Sequence, residues 1–599
     1  MKYKLINKPD EKLSAKEQIL INRGIKEVDL YHYMNTTDND INSPLELGSN
    51  NLKDAASALV LAIKQNTPTM IIVDADCDGY TSSALLTNYL YEAFPAFVDS
   101  CIEFFIHNGK QHGLEDCIDQ IEQKQYKLVI VPDAGSNDYE CHKRIHNYGG
   151  EVIVLDHHEA DFLSPNAFVI NNQLSLYPNK EFSGVGIVWQ FCRYLDSLLN
   201  TNYAENYYDL VALGNMADMM SLQSIETKHL IQKGFEPDNI KNPFIFEMWQ
   251  KNKFKLGEHI TPMGAAFYIA PFVNAMVRSG EQEEKELLFN SMLKHKAFQT
   301  ILSNKRGHAA GETERLVDQA VRTATNVKNR QTRAEDAGME LVESRINDNN
   351  MLDHKVLLFL LEPGEVDKNI AGLIANKIMA KYQRPCCMLT KVQKVIPHTY
   401  DEFPNVVVDE YITTYEGSAR GCDKVGVTNF KDICEQTGVV NYAQGHQGAF
   451  GLGLSAANID SFIEKTDEIL KDMADEAVYY VDYIWSVNEI NPTAICKIAE
   501  LADIWGKDMD EAMVAIQGIQ ITKDMLSMMK SNTVKITLPN VNIIKFRMPD
   551  EEYNQLYSDQ GYIEIDAVCK CNINEWNGIK SAQLFLEAYN IVGSCGYVF

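Results

Sequence analysis

Four apolar segments in the first 220 residues are each followed directly by carboxylate or imidazole side chains. They are 71–73 with Asp74, Asp76 and Asp78; 128–131 with Asp133; 152–155 with Asp156, His157 and His158; and 210–214 with Asp218. Short apolar runs bounded by turn residues are typical of strands buried on both faces of a sheet. Functional groups of open α/β sheets gather beyond the carboxyl ends of parallel strands. We therefore expect these aspartates and histidines to form a cage of ligands around two divalent metal ions. Two-metal sites of this kind catalyse phosphodiester hydrolysis.

Two simpler interpretations of residues 74–79 compete with the metal cage. The Asp-x-Asp-x-Asp-Gly pattern also opens a calcium-binding EF-hand loop, but that loop needs a bidentate Glu at its twelfth position, which here is Leu85. A helix should also precede such a loop, whereas residues 68–73 have the composition of a strand. Alternatively, the aspartates only cap the next helix. Thr81 or Ser82 can do that without three crowded carboxylates, which repel each other unless a cation neutralises them.

The order and spacing of these motifs resemble the DHH phosphoesterase superfamily, and their details resemble its RecJ-like single-strand-specific DNA exonucleases. The matching motifs are Asp74-x-Asp76-x-Asp78-Gly79; Asp133-Ala134-Gly135, with Ala where the family usually has Asn; Asp156-His157-His158; and 211–214 with Ala217-Asp218. The resemblance covers nearly the whole chain, with gaps near 235–260, 391–412 and 510–560. Such divergence is compatible with a phage or mobile-element member.

The resemblance implies a role for each residue of the cage. The expected metal ligands are Asp76, Asp78, Asp133, His157 and Asp218, of which Asp133 and Asp218 are the best candidates to approach both ions. The expected catalytic residues are His158, facing the substrate phosphate; Asp156, orienting a histidine ring; and Asp74, a further ligand or an orienting group. A neutral imidazole among oxygen ligands suits Mn²⁺, with Mg²⁺ as the second choice.

The chain divides into four expected regions of an α/β protein. They are a parallel-sheet DHH domain with an N-terminal extension (1–300), a connecting helix (301–346), a second α/β, DHH-associated substrate-binding domain (347–465) and a C-terminal OB-like β-barrel (470–599). In the first region, strands are expected near 69–74, 102–107, 127–133, 151–156 and 167–171. The connecting helix is locally basic, and two interpretations stay open: a solvated helix face or a DNA-facing surface.

Three further segments resemble substrate-handling motifs of the family. Residues 270–278 keep an asparagine and an arginine of one motif, but Phe272 replaces a second arginine. Residues 417–420 and 444–451 resemble its Gly-Ser-Gly-Arg and Gly-Gly-His segments, in which glycines let backbone amides approach a phosphate. The expected substrate-binding residues are Asn274, Arg278, Ser418, Arg420, Gly445 and His446. The plain alternative for Arg278 is a surface charge.

Composition limits the class of protein. The formal charge of −28 argues against a general nucleic-acid coat but not against a nuclease, because the local field steers a polyanion. Thirteen cysteines, an odd number without a CxxC pair, indicate reduced thiols and a cytoplasmic protein. No apolar stretch approaches the ~18 residues of a membrane span, so no membrane partner is expected.

Together these features predict a metal-dependent single-stranded DNA exonuclease that releases mononucleotides in DNA repair or recombination. Its 5′ to 3′ direction is implied by the resemblance alone. We expect a monomer whose partners are single-stranded DNA and a helicase or a single-strand-binding protein. One alternative is a phosphodiesterase of short oligonucleotides or cyclic dinucleotides, which usually lacks the connecting helix and OB-like tail. The other is a non-catalytic replication scaffold, whose relatives in the superfamily have lost metal ligands.

Overall fold

The computed structural model describes residues 1–109, 111–307, 309–348, 350–396, 410–474, 476–558, 561–576 and 578–595. The strands of its N-terminal part are β1 Lys2–Leu5, β2 Thr69–Val73, β3 Ile102–Ile106, β4 Leu128–Pro132, β5 Glu151–Asp156 and β6 Phe168–Asn171. The helices are α1 Ala15–Asn22, α2 Leu30–Met34, α3 Ser49–Gln65, α4 Cys77–Ala93, α5 Pro95–Cys101, α6 Ile118–Lys124, α7 Tyr139–Asn147, α8 Gly184–Leu199, α9 Tyr208–Ala217, α10 Ile225–Gly234, α11 Pro243–Lys251, α12 Lys253–Leu256, α13 Pro262–Tyr268, α14 Ala270–Ser279, α15 Gln282–Met292 and α16 Lys294–Ala297.

A parallel sheet forms the centre of this part, with strand order β3-β2-β4-β5-β6. Alternate residues of its inner strands belong to two separate buried clusters, with Ile71, Ile130 and Ile153 in one and Ile72, Val129 and Val152 in the other. Helices therefore cover both faces, which explains why these strands are continuously apolar. The parallel sheet is confirmed, and its five strands lie within one residue of the expected bounds at each end.

The prediction of a strand at 210–214 is wrong, because these residues lie inside helix α9. The run is apolar on all sides since α9 packs against α4, α8 and α10 at once. A short apolar run does not distinguish a buried strand from a buried helix, and the periodicity of 210–214 contains no further information. Asp218 therefore reaches the edge of the sheet from the C-terminal end of a helix rather than from a strand.

The connecting helix begins later than expected. Residues 300–315 first form a hairpin of β7 Thr300–Leu302 and β8 Thr313–Arg315, and α17 then runs over Leu316–Asp348. The β-branched residues Thr300 and Ile301 favour the extended hairpin over a helix start. The first half of α17 packs against α11, α14 and α15, and the second half contacts the next domain. The helix thus joins the two lobes.

The second lobe contains a five-stranded mixed sheet with the order β12-β13-β11-β10-β9. Its elements are β9 Leu357–Leu361, α18 Ala371–Tyr382, β10 Cys386–Ile396, β11 Glu410–Arg420, α19 Phe430–Gln436, β12 Val440–His446, β13 Ala449–Ser455 and α20 Ile459–Ile469. The central strand β11 carries Ser418 and Arg420, and β12 ends with Gly445 and His446. All four expected substrate-binding residues of this lobe therefore lie on two strands of one sheet.

The C-terminal part is rich in strands, as expected. Its elements are β14 Val478–Val481, β15 Tyr483–Ser486, α21 Pro492–Ala499, β16 Met513–Ile521, β17 Leu526–Met529, β18 Thr533–Thr537, β19 Asn542–Lys545, α22 Asp550–Gln555, β20 Tyr562–Trp576 and β21 Ile579–Cys595. Seven of these strands form one sheet in the order β15-β16-β20-β21-β19-β18-β17. In the described ranges, no helix is both long enough and apolar enough to cross a membrane.

The N-terminal segment is attached to the C-terminal part by paired strands and a buried ion pair. Strand β1 pairs in parallel with β14. Arg23 Nη1 and Nη2 donate to Asp482 Oδ1 and Oδ2 at 2.7 and 3.0 Å, and Arg23 Nε donates to Asp510 O at 2.8 Å. The Asp482 side chain is fully buried. A bidentate pair of this kind fixes the orientation of the two segments that it joins.

Candidate metal centre

Three adjacent strands of the parallel sheet carry aspartates at their carboxyl ends. Asp74 follows β2, Asp133 follows β4 and Asp156 is the last residue of β5. Because β4 lies between the other two strands, Asp133 lies between Asp74 and Asp156. Its backbone is left-handed, with φ 67°, and its N–H donates to Leu155 O at 2.8 Å. Aspartate tolerates this conformation better than most residues, so the strand can turn sharply at the site.

The helix-cap interpretation explains only part of the first cluster. Asp76 is the N-cap of α4, and its Oδ1 accepts from Gly79 N at 3.0 Å. The cap is therefore neither Thr81 nor Ser82. Asp74 and Asp78 are each 1% exposed and play no part in this cap. Burial of two further carboxylates next to a capping aspartate requires a separate explanation.

The predicted ligands converge on one small volume. His157 Nε2 lies 3.3 Å from Asp133 Oδ1 and 3.3 Å from Asp218 Oδ2. Ligand atoms lie within 4.8 Å of one another in three groups: Asp78, His157 and Asp218; Asp74, Asp76 and Asp133; and Asp133, Asp156, His157 and His158. The structure thus brings together all the residues to which the sequence assigned metal binding or catalysis.

Three of these side chains direct a buried atom into the cage without a hydrogen-bond partner in the described part of the chain. The atoms are Asp78 Oδ2, Asp133 Oδ1 and His157 Nε2. Buried polar atoms nearly always have a partner, so three unsatisfied atoms at one place indicate a binding site for a cation. Carboxylate oxygen and imidazole nitrogen are ordinary ligands of Mn²⁺, and carboxylates of Mg²⁺. The residues present therefore fit a divalent metal centre.

Burial and neighbouring carboxylates make negative charge unfavourable on the aspartates of the cage. They raise the pKa of Asp78 to about 6 and the pKa of Asp218 to about 8. The same causes hold the pKa of Asp133 well above its usual range. Carboxylates at such distances repel each other unless a cation neutralises them. The electrostatics therefore favour binding of a positive ion at this point.

The two adjacent histidines differ in charge. Burial, and then the proximity of His158, lowers the pKa of His157 to about 4, so its ring is neutral and able to ligate a metal. The His158 side chain is 52% exposed, and its Nδ1 lies 2.8 Å from Asp156 Oδ1. Burial opposes protonation of His158, but Asp156 outweighs it and raises the pKa of His158 to about 10. His158 is therefore a cation at the rim of the centre.

Asp156 holds this pair of histidines in place. Its Oδ1 accepts from the backbone N–H groups of His157 and His158 at 2.7 and 3.1 Å, and its Oδ2 accepts from Ser136 N at 3.0 Å. Burial opposes its ionisation, but the hydrogen bond and charge of His158 hold the pKa of Asp156 below its usual range. Asp156 is thus an ionised carboxylate that contacts both histidines of the motif, and its part in catalysis stays a prediction.

The start of α8 closes the cage from the other side. Ser183 Oγ and Val185 N donate to Asp78 Oδ1 at 3.1 and 3.2 Å. A Cβ added at Gly184 would lie 2.1 Å from Asp133 Oδ1, so only glycine leaves room for that carboxylate. The sequence interpretation missed this contribution, because the segment 183–186 contains no ionisable group that would mark it.

Two histidines near the centre were also missed. His107 and His112 lie beyond β3, one of two strands of the parallel sheet, with β6, whose runs had not been linked to a polar cluster. His107 Nδ1 lies 3.0 Å from Asp116, and its buried Nε2 lies 3.9 Å from Asp74 Oδ1. His112 Nδ1 lies 2.5 Å from Asp74 Oδ2. The pattern of an apolar run followed by a histidine at 107 could have identified the segment.

The expected substrate-binding residues are only partly brought together. Asn274 Oδ1 accepts from Cys77 N at 3.2 Å, so it holds the first residue of α4, which lies between Asp76 and Asp78. Burial lowers the pKa of Arg420, and the positive charge of Arg278 lowers it further. Arg278 therefore lies close enough to Arg420 to influence it, although the two belong to different lobes.

The remaining contacts of these residues are local. Arg278 Nε is buried without a partner among the described residues, which disfavours a plain surface charge. Arg420 and Ser418 lie together against Gly372, where an added Cβ would be 2.5 Å from Arg420 Nη2 and 3.3 Å from Ser418 Oγ. Gly445 and His446 are exposed at the end of β12. Their part in substrate binding stays a prediction.

The basic residues around the start of the connecting helix are mostly neutralised. The paired residues are Lys305 and Arg322 with Glu314, Arg315 with Asp318 and Glu247, Lys328 with Glu335, and Arg330 with Glu284. Arg306 and Arg333 have no ion pair within the described ranges. Because five of the seven cations are paired, the solvated-face interpretation is the better one for this helix.

Two family profiles match the chain: the DHH family, N-terminal domain, over residues 68–215, and the RecJ OB domain, over residues 481–588. Among solved structures, the crystal structure of RecJ in complex with Mn²⁺ from Thermus thermophilus shares the fold, with a TM-score of 0.68 and 16% identity. That match covers 98% of this chain and 79% of the Thermus chain. These matches confirm the DHH domain and the C-terminal OB domain of the expected architecture.

Sequence relatives extend over the whole chain. YorK, an SPbeta prophage-derived protein of Bacillus subtilis strain 168 whose name describes a single-strand DNA-specific exonuclease, is 30% identical over 597 residues. This similarity covers 99% of the present chain and 98% of YorK. The single-stranded-DNA-specific exonuclease RecJ of the same bacterium is 23% identical, over 95% of this chain and 67% of that protein. The present chain belongs to the RecJ family of DHH-domain proteins.

Proposed function

We propose that this protein is a metal-dependent single-stranded DNA exonuclease that hydrolyses phosphodiester bonds from the 5′ end and releases mononucleotides. The observation that carries the proposal is the convergence of Asp78 Oδ2, Asp133 Oδ1 and His157 Nε2, three buried atoms without partners in the described part of the chain, at the carboxyl edge of the sheet. The relatives named as single-strand-specific exonucleases support the choice of substrate, and the 5′ to 3′ direction rests on family membership.

Five residues would hold the two divalent ions: Asp76, Asp78, Asp133, His157 and Asp218. Mn²⁺ is the preferred ion because an imidazole accompanies the oxygen ligands, and Mg²⁺ is the second choice. When bound, such ions supply an activated water and neutralise charge on the phosphate. By resemblance to the family, Asp133 and Asp218 would be the ligands that approach both ions, and their positions 3.3 Å from Nε2 of His157 are compatible with this assignment.

The residues of the chain orient the substrate around this centre. His158, cationic and half-exposed, donates to an oxygen of the scissile phosphate, while Asp156 fixes its ring through Nδ1. Asp74 is bonded to His112 and to Gly113 N, which supports an orienting role over a ligand role. Asn274 holds the first residue of α4 within the first motif. Arg278, Ser418 and Arg420 supply donors for a phosphate beyond the reacting one. Gly445 and His446 of the second lobe are further contacts to the bound strand.

A phosphodiesterase of short oligonucleotides or cyclic dinucleotides is the alternative within hydrolases. The connecting helix and the OB domain over residues 481–588 favour a polymer, because OB folds bind extended single strands. A non-catalytic scaffold is disfavoured because every expected ligand is present. For the biological setting we propose DNA repair or recombination in the cytoplasm, as a monomer supplied with single strands by a helicase or a single-strand-binding protein.

Single-stranded DNA labelled at its 5′ end tests the proposal. In the presence of Mn²⁺, the wild-type protein should release labelled mononucleotide at once, and a blocked 5′ end should prevent this. His157→Ala should be inactive, whereas the matched control His146→Ala, at an exposed histidine of α7, should keep full activity. Release of label only late in the digest would indicate the opposite polarity. Cleavage of dinucleotides but not of longer strands would support the alternative hydrolase instead.

A further inference from the structure

The ring of His112 lies at the rim of the metal centre without a role in the function proposed above. Its side chain is 55% exposed, whereas Asp74, which it contacts at 2.5 Å through Nδ1, is 1% exposed. The other oxygen of Asp74 accepts from Gly113 N at 3.1 Å. Both carboxylate oxygens of Asp74 therefore hold consecutive residues of one loop. An exposed side chain anchored this firmly is presented in a single orientation.

His112 has the same arrangement as His158, but on the β2 side of Asp133 rather than on the β5 side. In both cases Nδ1 contacts a buried aspartate at the end of a strand, Asp74 after β2 and Asp156 on β5. The opposite ring edge, with Nε2, then points away from that aspartate. Strand β4 with Asp133 lies between β2 and β5, so the two rings approach the centre from its two sides. Contact with Asp74 raises the pKa of His112, and the charge of the nearby His158 opposes this rise.

A phosphate group needs such donors at this place. The aspartates of the cage repel the negative oxygens of a phosphodiester, and two divalent ions compensate for only part of this charge. Hydrogen bonds from a positioned imidazole to phosphate oxygens are charge-assisted and therefore strong. The ring of His158 serves the reacting phosphate from one side only, which leaves a neighbouring phosphate of the strand on the β3 side without a donor from His158.

We propose that His112 is a second substrate-binding histidine, which contacts a phosphate oxygen of the bound strand from the β3 side of the metal centre. The inference rests on the proposed function, because it requires a phosphodiester at the centre. It adds a contact that the metal-binding motifs do not include. Asp74, which holds His112, belongs to the first motif. Asp74 would therefore serve substrate binding rather than metal binding.

The test combines substitution of the histidine with removal of charge from single phosphates of the substrate. Wild type, His112→Ala and the matched control Gln111→Ala, an exposed neighbour on the same loop, are assayed on 5′-phosphorylated DNA with Mn²⁺. A set of substrates carries one neutral methylphosphonate linkage, moved stepwise from the second linkage inward. On unmodified DNA, His112→Ala should lose about 10- to 100-fold in kcat/KM, as expected for a lost charge-assisted hydrogen bond. Gln111→Ala should stay within about twofold of wild type.

At the linkage that His112 contacts, the rate losses caused by the methylphosphonate and by His112→Ala should not add. Wild type and His112→Ala should cleave that modified substrate at nearly equal rates. Full additivity at every linkage would overturn the proposal. Titration with Mn²⁺ in a calorimeter distinguishes substrate binding by His112 from indirect support of the metal through Asp74. A substrate-binding role leaves Mn²⁺ affinity unchanged in His112→Ala, whereas a tenfold loss would overturn it and assign His112 to the support of the metal through Asp74.

Two further arms keep the test decisive. His112→Gln retains a donor at similar reach, and it should recover part of the activity if His112→Ala folds poorly. A wild-type protein that cleaves no single-stranded DNA would reject the proposed function itself. A wild-type protein that cleaves normally together with an equally active His112→Ala would reject only the role of His112.

Discussion

Replacing Gly184 by alanine should disable the metal centre without unfolding the protein. Gly184 begins α8, directly after Ser183, whose hydroxyl donates to Asp78. The added Cβ would lie 2.1 Å from Asp133 Oδ1 and 2.6 Å from both Cβ and Cγ of Asp133. Ordinary contacts between carbon atoms need about 3.5–4.0 Å, so the two segments must separate by about 1 Å or more.

The carboxylate of Asp133 cannot easily supply this movement. Its backbone is fixed at φ 67° by the bond from its N–H to Leu155 O, and the residue is buried. The start of α8 is held through Val185 N, which donates to Asp78. A displacement of about 1 Å in a catalytic constellation costs about 100-fold in rate. Overpacking of this kind also costs about 1–3 kcal/mol of stability, which a protein of this size tolerates.

The assay compares kcat/KM on single-stranded DNA, Mn²⁺ affinity by calorimetry and thermal unfolding for Gly184→Ala, Gly593→Ala and wild type. Gly593 is the matched control, because a Cβ there meets nothing nearer than 3.8 Å. We expect Gly184→Ala to remain folded, to bind Mn²⁺ at least tenfold more weakly and to lose about 100-fold in activity. The reasoning fails if Gly184→Ala binds Mn²⁺ and cleaves DNA as the control does.

Three other predictions follow from the site and the domain junction. Asp133→Ala should abolish cleavage in Mn²⁺ while DNA affinity, measured by fluorescence anisotropy, stays within about tenfold, because substrate donors lie on other residues; residual turnover at the wild-type rate would remove Asp133 from the site. Arg23→Ala leaves Asp482 buried and unpaired, so urea unfolding should show a loss of about 3–5 kcal/mol; a loss below about 1 kcal/mol would mean that the pair is solvated. In the folded, metal-free protein the pKa values of Asp218 and His158 are raised to about 8 and about 10. Between pH 6.5 and 8, each side chain therefore keeps a proton in the folded state that it has released in the unfolded state. Stability in EDTA should therefore fall as pH rises through this window; a melting temperature that rises instead would contradict these shifts.

The parallel sheet could be predicted from the sequence because its inner strands are buried on both faces. Each of the runs 71–73, 128–131 and 152–155 is apolar without interruption, and the two-sided burial of alternate residues is the physical cause. The run 210–214 has the same composition but is surrounded by helices, which produces the same continuous apolarity. Composition reports burial, not backbone conformation, and so the fourth run was assigned to the wrong element.

The candidate site was predictable where a side chain itself carries the chemistry. Asp133 and His157 stand out in the sequence because carboxylates and imidazoles after apolar runs are unusual. The contribution of Gly184 was not predictable, since it acts through a contact between segments that are distant in sequence. The segment of His112 could be identified from His107, but the contact of His112 with Asp74 could not. A glycine is needed at 184 only because the carboxylate of Asp133 lies where a Cβ would be. The local sequence around residue 184 contains no sign of this contact.

The attachment of the N-terminal segment to the C-terminal part has a consequence for biosynthesis. Arg23 and its partner Asp482 are 459 residues apart in the chain, and β1 pairs with β14, which lies similarly far along it. A ribosome adds roughly 5–20 residues per second, so the early segment waits about 20 to 90 seconds for its partner. During that interval, residues 2–5 have no β14 to pair with, and their backbone groups are open to pairing with other nascent chains. Chaperone dependence during translation should therefore concentrate on the first residues synthesised, even though the sheet that bears the metal centre can form long before.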